Sequence, residues 1–407
     1  MSIFSEAASA IGRRICRDAI WAGECCNWIG PFGDSWDPRD IRQRSFGADL
    51  YSGTSGISLF LATLASIDEE PLIRKTAEGA ARHAFRHAWD FPPGSQLGVY
   101  SGTVGVAWSL IRVGELLGSQ AWQEHGVELL HHINLDDSKA GSDIMSGIAG
   151  AIPVLLHLSL RFDRPEWREA AVRWGTELQR TATKTPEGWS WKTIDAPAFE
   201  TQRNLTGFSH GTAGIGWALA QLFHATQEPG FRHASEQAFQ YERTFYNPEV
   251  ENWPDFRDYL RPPGSPVAYG MAWCHGAPGI ALSRLRAWRL NGDPLLRQEA
   301  EIAVRTTIRS LELQTASHAG FSLCHGCAGN ADVLLEAARE NDSPELRNLA
   351  ERIGSMGLET LENQRWPWPC GVPGGGESAN LMLGTAGIGY FYLRLADPSI
   401  PTVLMIA

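Results

Sequence analysis

The stretches "CHGAPGIALSRL" (274–285) and "CHGCAGNADVLL" (324–335) share one phrase: a Cys-His pair, a glycine, a second glycine three residues on, then an apolar run. The same punctuation recurs outward from them in both directions. Upstream are "YSGTSGISLFL" from 51, "YSGTVGVAWSL" from 100, "MSGIAGAIPVLL" from 145 and "SHGTAGIGWAL" from 209; downstream is "MLGTAGIGYFYL" from 382. These seven G-x-x-G copies stand 45 to 65 residues apart, in the range of an array of supersecondary units. A lone G-x-x-G means little. Seven in register decide the fold.

Between the copies lie amphipathic segments of another character, such as 71–89, 165–182, 294–311 and 344–361, each opening on Pro and charged on one side. The segments after the glycines are apolar nearly all round, as helices buried on most sides must be. The unit is therefore one half-exposed helix, a loop, a glycine turn and one buried helix. An open array needs a polar outer face on its last repeat, but "IGYFYLRLADPSIPTVLMIA" (388–407) is apolar almost throughout. We expect a closed, all-α fold: an α/α toroid of seven inner and seven outer helices, a single domain over 1–407. The glycine turns then converge at one end, and the residues just before them ring a common mouth.

Composition narrows the function. A formal charge of −11 argues against nucleic acid as a main partner, since phosphate binding needs a basic face. The opening "MSIFSEAASAIGRRICRDAIW" reads as an amphipathic helix rather than a signal peptide, and no apolar run reaches transmembrane length. Seven cysteines, an odd number, fit reduced thiols in a cytoplasmic protein better than a disulfide framework.

The residues directly before the first glycines are Ser52, Ser101, Ser146, His210, His275, His325 and Leu383; one step earlier come Cys274 and Cys324 in copies five and six. Cys274, Cys324 and His325 make a zinc set with a fourth position open; the bland alternative is inert, buried cysteines at helix starts. Cys327 is a weaker fourth ligand that would close the site. His210 is either a general acid or base at the mouth or a polar helix cap. Asp143, three residues before Ser146, is either the partner of a histidine on the neighbouring turn or an ordinary loop aspartate. His83 and His87 have metal spacing but lie on a charged outer helix, where we expect exposure. The glycine-rich "GVPGGGESAN" (371–380) lacks the G-K-[ST] of a phosphate loop and reads as a flexible segment near the mouth. The long loops 183–206 and 249–270 carry Trp189, Trp191, Phe199, Trp253, Phe256 and Tyr259, aromatic surface that either grips a peptide or packs the loops down.

"WCHGAPGI", "LCHGCAGN", "GFSHGTAGIG" and the closing "LMLGTAGIGYFYLRLADPSIPTVL" resemble, over essentially the whole chain, the lanthionine synthetase C-like family, the cyclases that form thioether rings in lanthipeptides. The resemblance implies zinc on Cys274, Cys324 and His325, a catalytic His210 with Asp143 as its partner, and a catalytic His275, at a position held by Tyr or His, as the other candidate acid. It implies a dehydrated precursor peptide as substrate, whose cysteine thiols add to dehydroalanine or dehydrobutyrine, and a separate dehydratase as partner. One departure stands out: many stand-alone bacterial cyclases carry an arginine shortly before the first cysteine, and here Gly270 lies near that place. The alternatives are a zinc protein that adds glutathione to dehydroamino acids, a binding or regulatory module, and a toroid similar to the prenyltransferase β-subunit.

Overall fold

The computed structural model describes residues 2–32, 41–135, 139–194, 203–257, 259, 262, 264–313, 320–372, 374 and 376–406, the side chain of Phe32 excepted. Fourteen α-helices are found among them: α1 (Ile3–Arg17), α2 (Thr54–Ala65), α3 (Pro71–His87), α4 (Thr103–Leu117), α5 (Gln120–His132), α6 (Ile148–Phe162), α7 (Pro165–Thr181), α8 (Thr212–Thr226), α9 (Pro229–Phe245), α10 (Ala277–Asn291), α11 (Pro294–Leu313), α12 (Cys327–Asn341), α13 (Pro344–Gly357) and α14 (Thr385–Ala396). The seven even-numbered helices all start at a glycine turn. Three short antiparallel hairpins decorate the loops, pairing 20–22 with 25–27, 29–32 with 42–45 and 183–185 with 188–190.

The repeat has a steric cause. The second glycine of each turn lies against the carbonyl oxygen six residues before it; a Cβ on Gly105 would come within 1.6 Å of the Val99 oxygen, and one on Gly329 within 1.7 Å of that of Leu323. Only glycine lets the chain fold back so tightly onto its own helix start. At Gly276 the backbone also takes φ 94°, a left-handed value that any side chain would strain. The helices that follow are buried on nearly every side: in α2 all residues from Thr54 to Leu64 are covered. The intervening helices bury one stripe, as α3 does with Ile73, Thr76, Ala77, Ala80, Ala81 and Ala84.

The fold divides into two compact units: residues 1–134, 314–335 and 344–404, and residues 135–313, 336–343 and 405–407. In the first, α2 packs on α3 and α4 on α5, while α1 packs on α14. The last inner helix thus takes its outer partner from the start of the chain. Phe4 stacks on Tyr392 with ring centroids 6.1 Å apart, and a buried ion pair of Arg394 with Asp332 anchors the tail, where Thr402 Oγ1 donates to Asp332 Oδ2 at 2.6 Å. The apolar C-terminal segment, expected to lack a polar cap, is buried here. In the second unit α6 packs on α7, α8 on α9 and α10 on α11.

Equivalent backbone positions of successive turns are hydrogen-bonded within each unit. In the first, Cys324 N–H donates to Met382 O (2.9 Å), Met382 N–H to Tyr51 O (2.9 Å) and Tyr51 N–H to Tyr100 O (2.8 Å). In the second, Met145 N–H donates to Ser209 O and Ser209 N–H to Cys274 O, both at 3.2 Å. Residues far apart in sequence become neighbours, as the repeat demands.

The loop aromatics mostly follow the packing alternative. Trp191, Trp253 and Phe256 are buried, so they pack the loops rather than offer a surface to a peptide; Trp189 and Tyr259 are half-buried, and Phe199 lies outside the described residues. His83 departs from expectation. It is half-buried, its Nδ1 2.9 Å from Thr54 Oγ1 and its Nε2 3.0 Å from Asn27 Nδ2, and burial and the neighbouring His87 pull its pKa down to about 4. His87 is exposed, beside Asp90.

Candidate metal centre and acid–base pair

The Cys274 and Cys324 sulfurs and a ring nitrogen of His325 lie within 4.8 Å of one another, the one such group of metal-ligand residues among those described. Cys327 stands outside it: the first residue of α12, fully buried, its thiol pushed up to about 11 by burial. Two thiolates and an imidazole suit zinc and disfavour magnesium or calcium. His325 is oriented from outside the group. Its Nε2 donates to the Gly371 carbonyl at 2.9 Å, which fixes the proton there and makes Nδ1 the nitrogen that would meet a metal. A Cβ on Gly371 would lie 2.8 Å from His325 Nε2, so a side chain at 371 would displace the ring. The segment read as flexible therefore supplies a fixed carbonyl, and its Ser378 and Asn380 are buried.

His210 on turn four donates from Nδ1 to Asp143 Oδ2 on turn three at 2.5 Å. The other carboxylate oxygen of Asp143 accepts the N–H (2.7 Å) and hydroxyl (3.0 Å) of Ser146, so the aspartate caps its own turn while aiming at the next. Asp143 keeps 2% of its side chain exposed and His210 31%, which leaves the imidazole reachable and its anchor sealed. Burial pulls the His210 pKa down, but the Asp143 charge and hydrogen bond, with Cys274 adding, outweigh it; the net shift is upward. With Nδ1–H held by Asp143, Nε2 is the nitrogen that exchanges a proton.

His275 lies beside this pair, its ring 6.3 Å from that of His210 and nearly parallel. It is almost fully buried, with the Thr206 backbone as a hydrogen-bonding neighbour, and burial, then the Arg257 charge, drive its pKa down to about 3. It is a neutral wall of the site at ordinary pH.

Three supporting residues escaped the sequence reading. Glu242 of α9 reaches beneath turn four, its Oε1 accepting the N–H groups of Gly207 (3.1 Å) and Ala213 (2.7 Å). Burial pushes its carboxyl up to about 8 against the opposing pull of Arg284 and those two N–H groups. Its signal was present: it lies on the buried stripe of α9 with Phe231, Ala234, Ala238 and Phe239. The other two, Asp255 and Arg257, sit in the loop before turn five, paired with Nη2 2.6 Å from Oδ2. No helical or strand period marks them.

The lanthionine synthetase C-like protein family profile matches residues 44–406, and the chain belongs to that family. Among solved structures it is similar to nisin cyclase, with TM-score 0.65 and 16% identity over 87% of this chain and 90% of that one. A GH76 α-mannanase of Bacteroides thetaiotaomicron matches with TM-score 0.53 and 10% identity over 98% of this chain and 96% of the other. At such identities these likenesses concern the fold, which is the all-α, α/α toroid expected from the repeats.

Proposed function

We propose that this protein is a zinc-dependent lanthipeptide cyclase that closes thioether rings in a dehydrated precursor peptide supplied by a dehydratase. The observation that carries the reading is the conjunction, on one set of glycine turns, of a Cys-Cys-His group and a histidine held by a buried aspartate. Cys274, Cys324 and His325 would hold the metal. Zinc bound there would keep a peptide cysteine, whose free thiol has a pKa of about 8.5, as a thiolate at neutral pH. Addition of that sulfur to the β-carbon of a dehydroamino acid leaves a carbanion at Cα that needs a proton. His210 supports the donor role: its raised pKa keeps it charged further up the pH scale, and Asp143 fixes its tautomer. His275, neutral and buried, suits a wall better than an acid.

The family profile over 44–406 favours treating the chain as a single domain. Seven free cysteines fit a reducing, cytoplasmic setting, and no helix among the described residues is long and apolar enough to cross a membrane.

Ring closure leaves mass unchanged, so the test counts thiols. A synthetic peptide with one dehydroalanine and one cysteine is incubated with zinc-loaded protein, then alkylated. Loss of the alkylated species is expected, and Cys274→Ala or Cys324→Ala should lose both metal and activity while remaining largely helical. Full alkylation after incubation with metal-loaded protein would defeat the reading, and a mass gain of one glutathione when that thiol is present would favour intermolecular addition.

A further inference from the structure

The loop 252–257 is fastened to turns four and five at several points. Asn252 Oδ1 accepts the first N–H of α10, that of Ala277, at 2.9 Å, and its Nδ2 donates to Gly270 O at 3.0 Å. Thr206, just before turn four, donates its hydroxyl to the Pro254 carbonyl. Asp255 N–H donates to Ala268 O at 2.7 Å. So held, Asp255 grips one edge of the Arg257 guanidinium: Nε lies 2.9 Å from Oδ1 and Nη2 2.6 Å from Oδ2. The two side chains keep only 19% and 9% of their surface exposed, for Arg257 and Asp255 respectively.

The ties of its loop to Thr206, Gly270 and Ala277 set Arg257 against turns four and five, which carry His210 and Cys274, and its charge opposes protonation of His210. In the addition proposed above, the sulfur–Cβ bond forms as the C=C π bond breaks. Its electron pair moves into an enolate, and negative charge gathers on the acyl oxygen until a proton reaches Cα; the net result is S–H added across C=C. His210 can supply the proton, but it cannot also neutralise the oxygen.

We infer that Arg257 binds the acyl oxygen of the dehydroamino acid and carries its charge while the enolate exists, with Asp255 as the positioning residue that fixes the guanidinium plane. The fork geometry of arginine suits a planar oxygen acceptor, and a donor preset for charge that develops only during reaction accelerates the step rather than binding substrate. This assignment rests on the cyclase reading, and its place in the chain differs from that of the arginine expected near Gly270.

The test uses full-length, zinc-loaded protein and the dehydroalanine–cysteine peptide. Arg257→Gln should lower kcat by about 10²–10³-fold, the usual effect of removing an oxyanion donor, with KM within a few-fold of wild type. Zinc content should stay the same, Tm should fall because Asp255 loses its partner, and at a temperature where both proteins are folded the peptide with alanine in place of dehydroalanine should bind both alike. Guanidinium ion at millimolar concentration should restore part of the rate to Arg257→Ala and nothing to Asp143→Ala. Should Arg257→Gln fold poorly, Arg257→Lys, which keeps charge but not the fork, should still lose most of kcat. If wild type leaves the thiol unreacted, the cyclase reading falls and the inference with it. If wild type reacts and Arg257→Gln keeps pace, only the inference falls.

Discussion

Turn one and turn three are the same piece of structure with different consequences. In turn one, Asp49 Oδ1 accepts the Ser52 N–H at 2.6 Å and its hydroxyl at 3.2 Å; in turn three, Asp143 does the same for Ser146. Each turn also donates backbone N–H groups to the next, Tyr51 to Tyr100 O in the one case and Ile144 and Met145 to Ser209 O in the other. The difference lies one residue further on: beside turn one stands Ser101, beside turn three His210. Asp143 spends its second oxygen on that histidine. Burial raises the Asp49 pKa despite the Ser52 bonds and the Arg44 charge that oppose it. The aspartate–serine turn is thus scaffold in both places, and the neighbouring turn decides whether the aspartate also holds a histidine.

The largest expected effect breaks that comparison outright. Asp143→Asn should slow ring closure by about 10²–10⁴-fold, the usual contribution of a positioned acid, while Asp49→Asn leaves the rate within a few-fold. Peptide alkylation kinetics on both variants checks this. The pH profile sharpens it. His210 is protonated further up the scale in the folded protein, so the pair's contribution to stability is full below about pH 6.5, the unperturbed histidine value, and fades as pH rises through the raised value. Asp143→Asn should move the alkaline limb of the rate profile downward; an unmoved limb would assign it to another group.

Next come the braces that outer helices lend to the two turns, Glu242 under turn four and His83 under turn one. Glu242→Ala orphans two buried N–H groups and should cost about 2–3 kcal/mol in a urea melt, whereas Glu242→Gln keeps an acceptor. Because the Glu242 pKa is raised to about 8 from 4.5, the folded state holds the extra proton, and this contribution to stability declines as pH rises through that window. The glutamine variant should lack that decline. His83 works oppositely: with its pKa lowered from 6.5 to about 4, stability is lost as pH falls between those values. His83→Gln should flatten that acid limb, by on the order of 1–2 kcal/mol. The smallest effect builds the missing half of turn one. Ser101→His should titrate above 6.5, by up to about one unit, in a proton NMR titration and add no cyclase activity.

Sequence reading reached the helix pairs, the glycine turns and the Cys-Cys-His and His210 positions because a repeat puts them in register. It left alternatives open, or gave no signal, where register ends. Trp191, Trp253 and Phe256 look like binding surface in a long loop, yet the loop folds inward on them. Gly371 contributes a carbonyl, which every residue has, so nothing in its side chain announces the role. Arg257 becomes relevant only because Asn252 and Pro254 tie its loop to turns that lie elsewhere in the chain.

The pairing of α1 with α14 reaches into the making of the protein. During synthesis α1 emerges with Phe4, Ala8, Ile11 and Ile15 on one face, and α14, which packs on it, follows only after the twelve helices between them. The inner helices α2, α4, α6, α8 and α10 each find an outer partner in the helix that follows directly, a contact that forms quickly; α1 must wait for α14. For that interval the apolar stripe of α1 stands without its main partner, a site for chaperones and for misassociation between neighbouring polysomal copies.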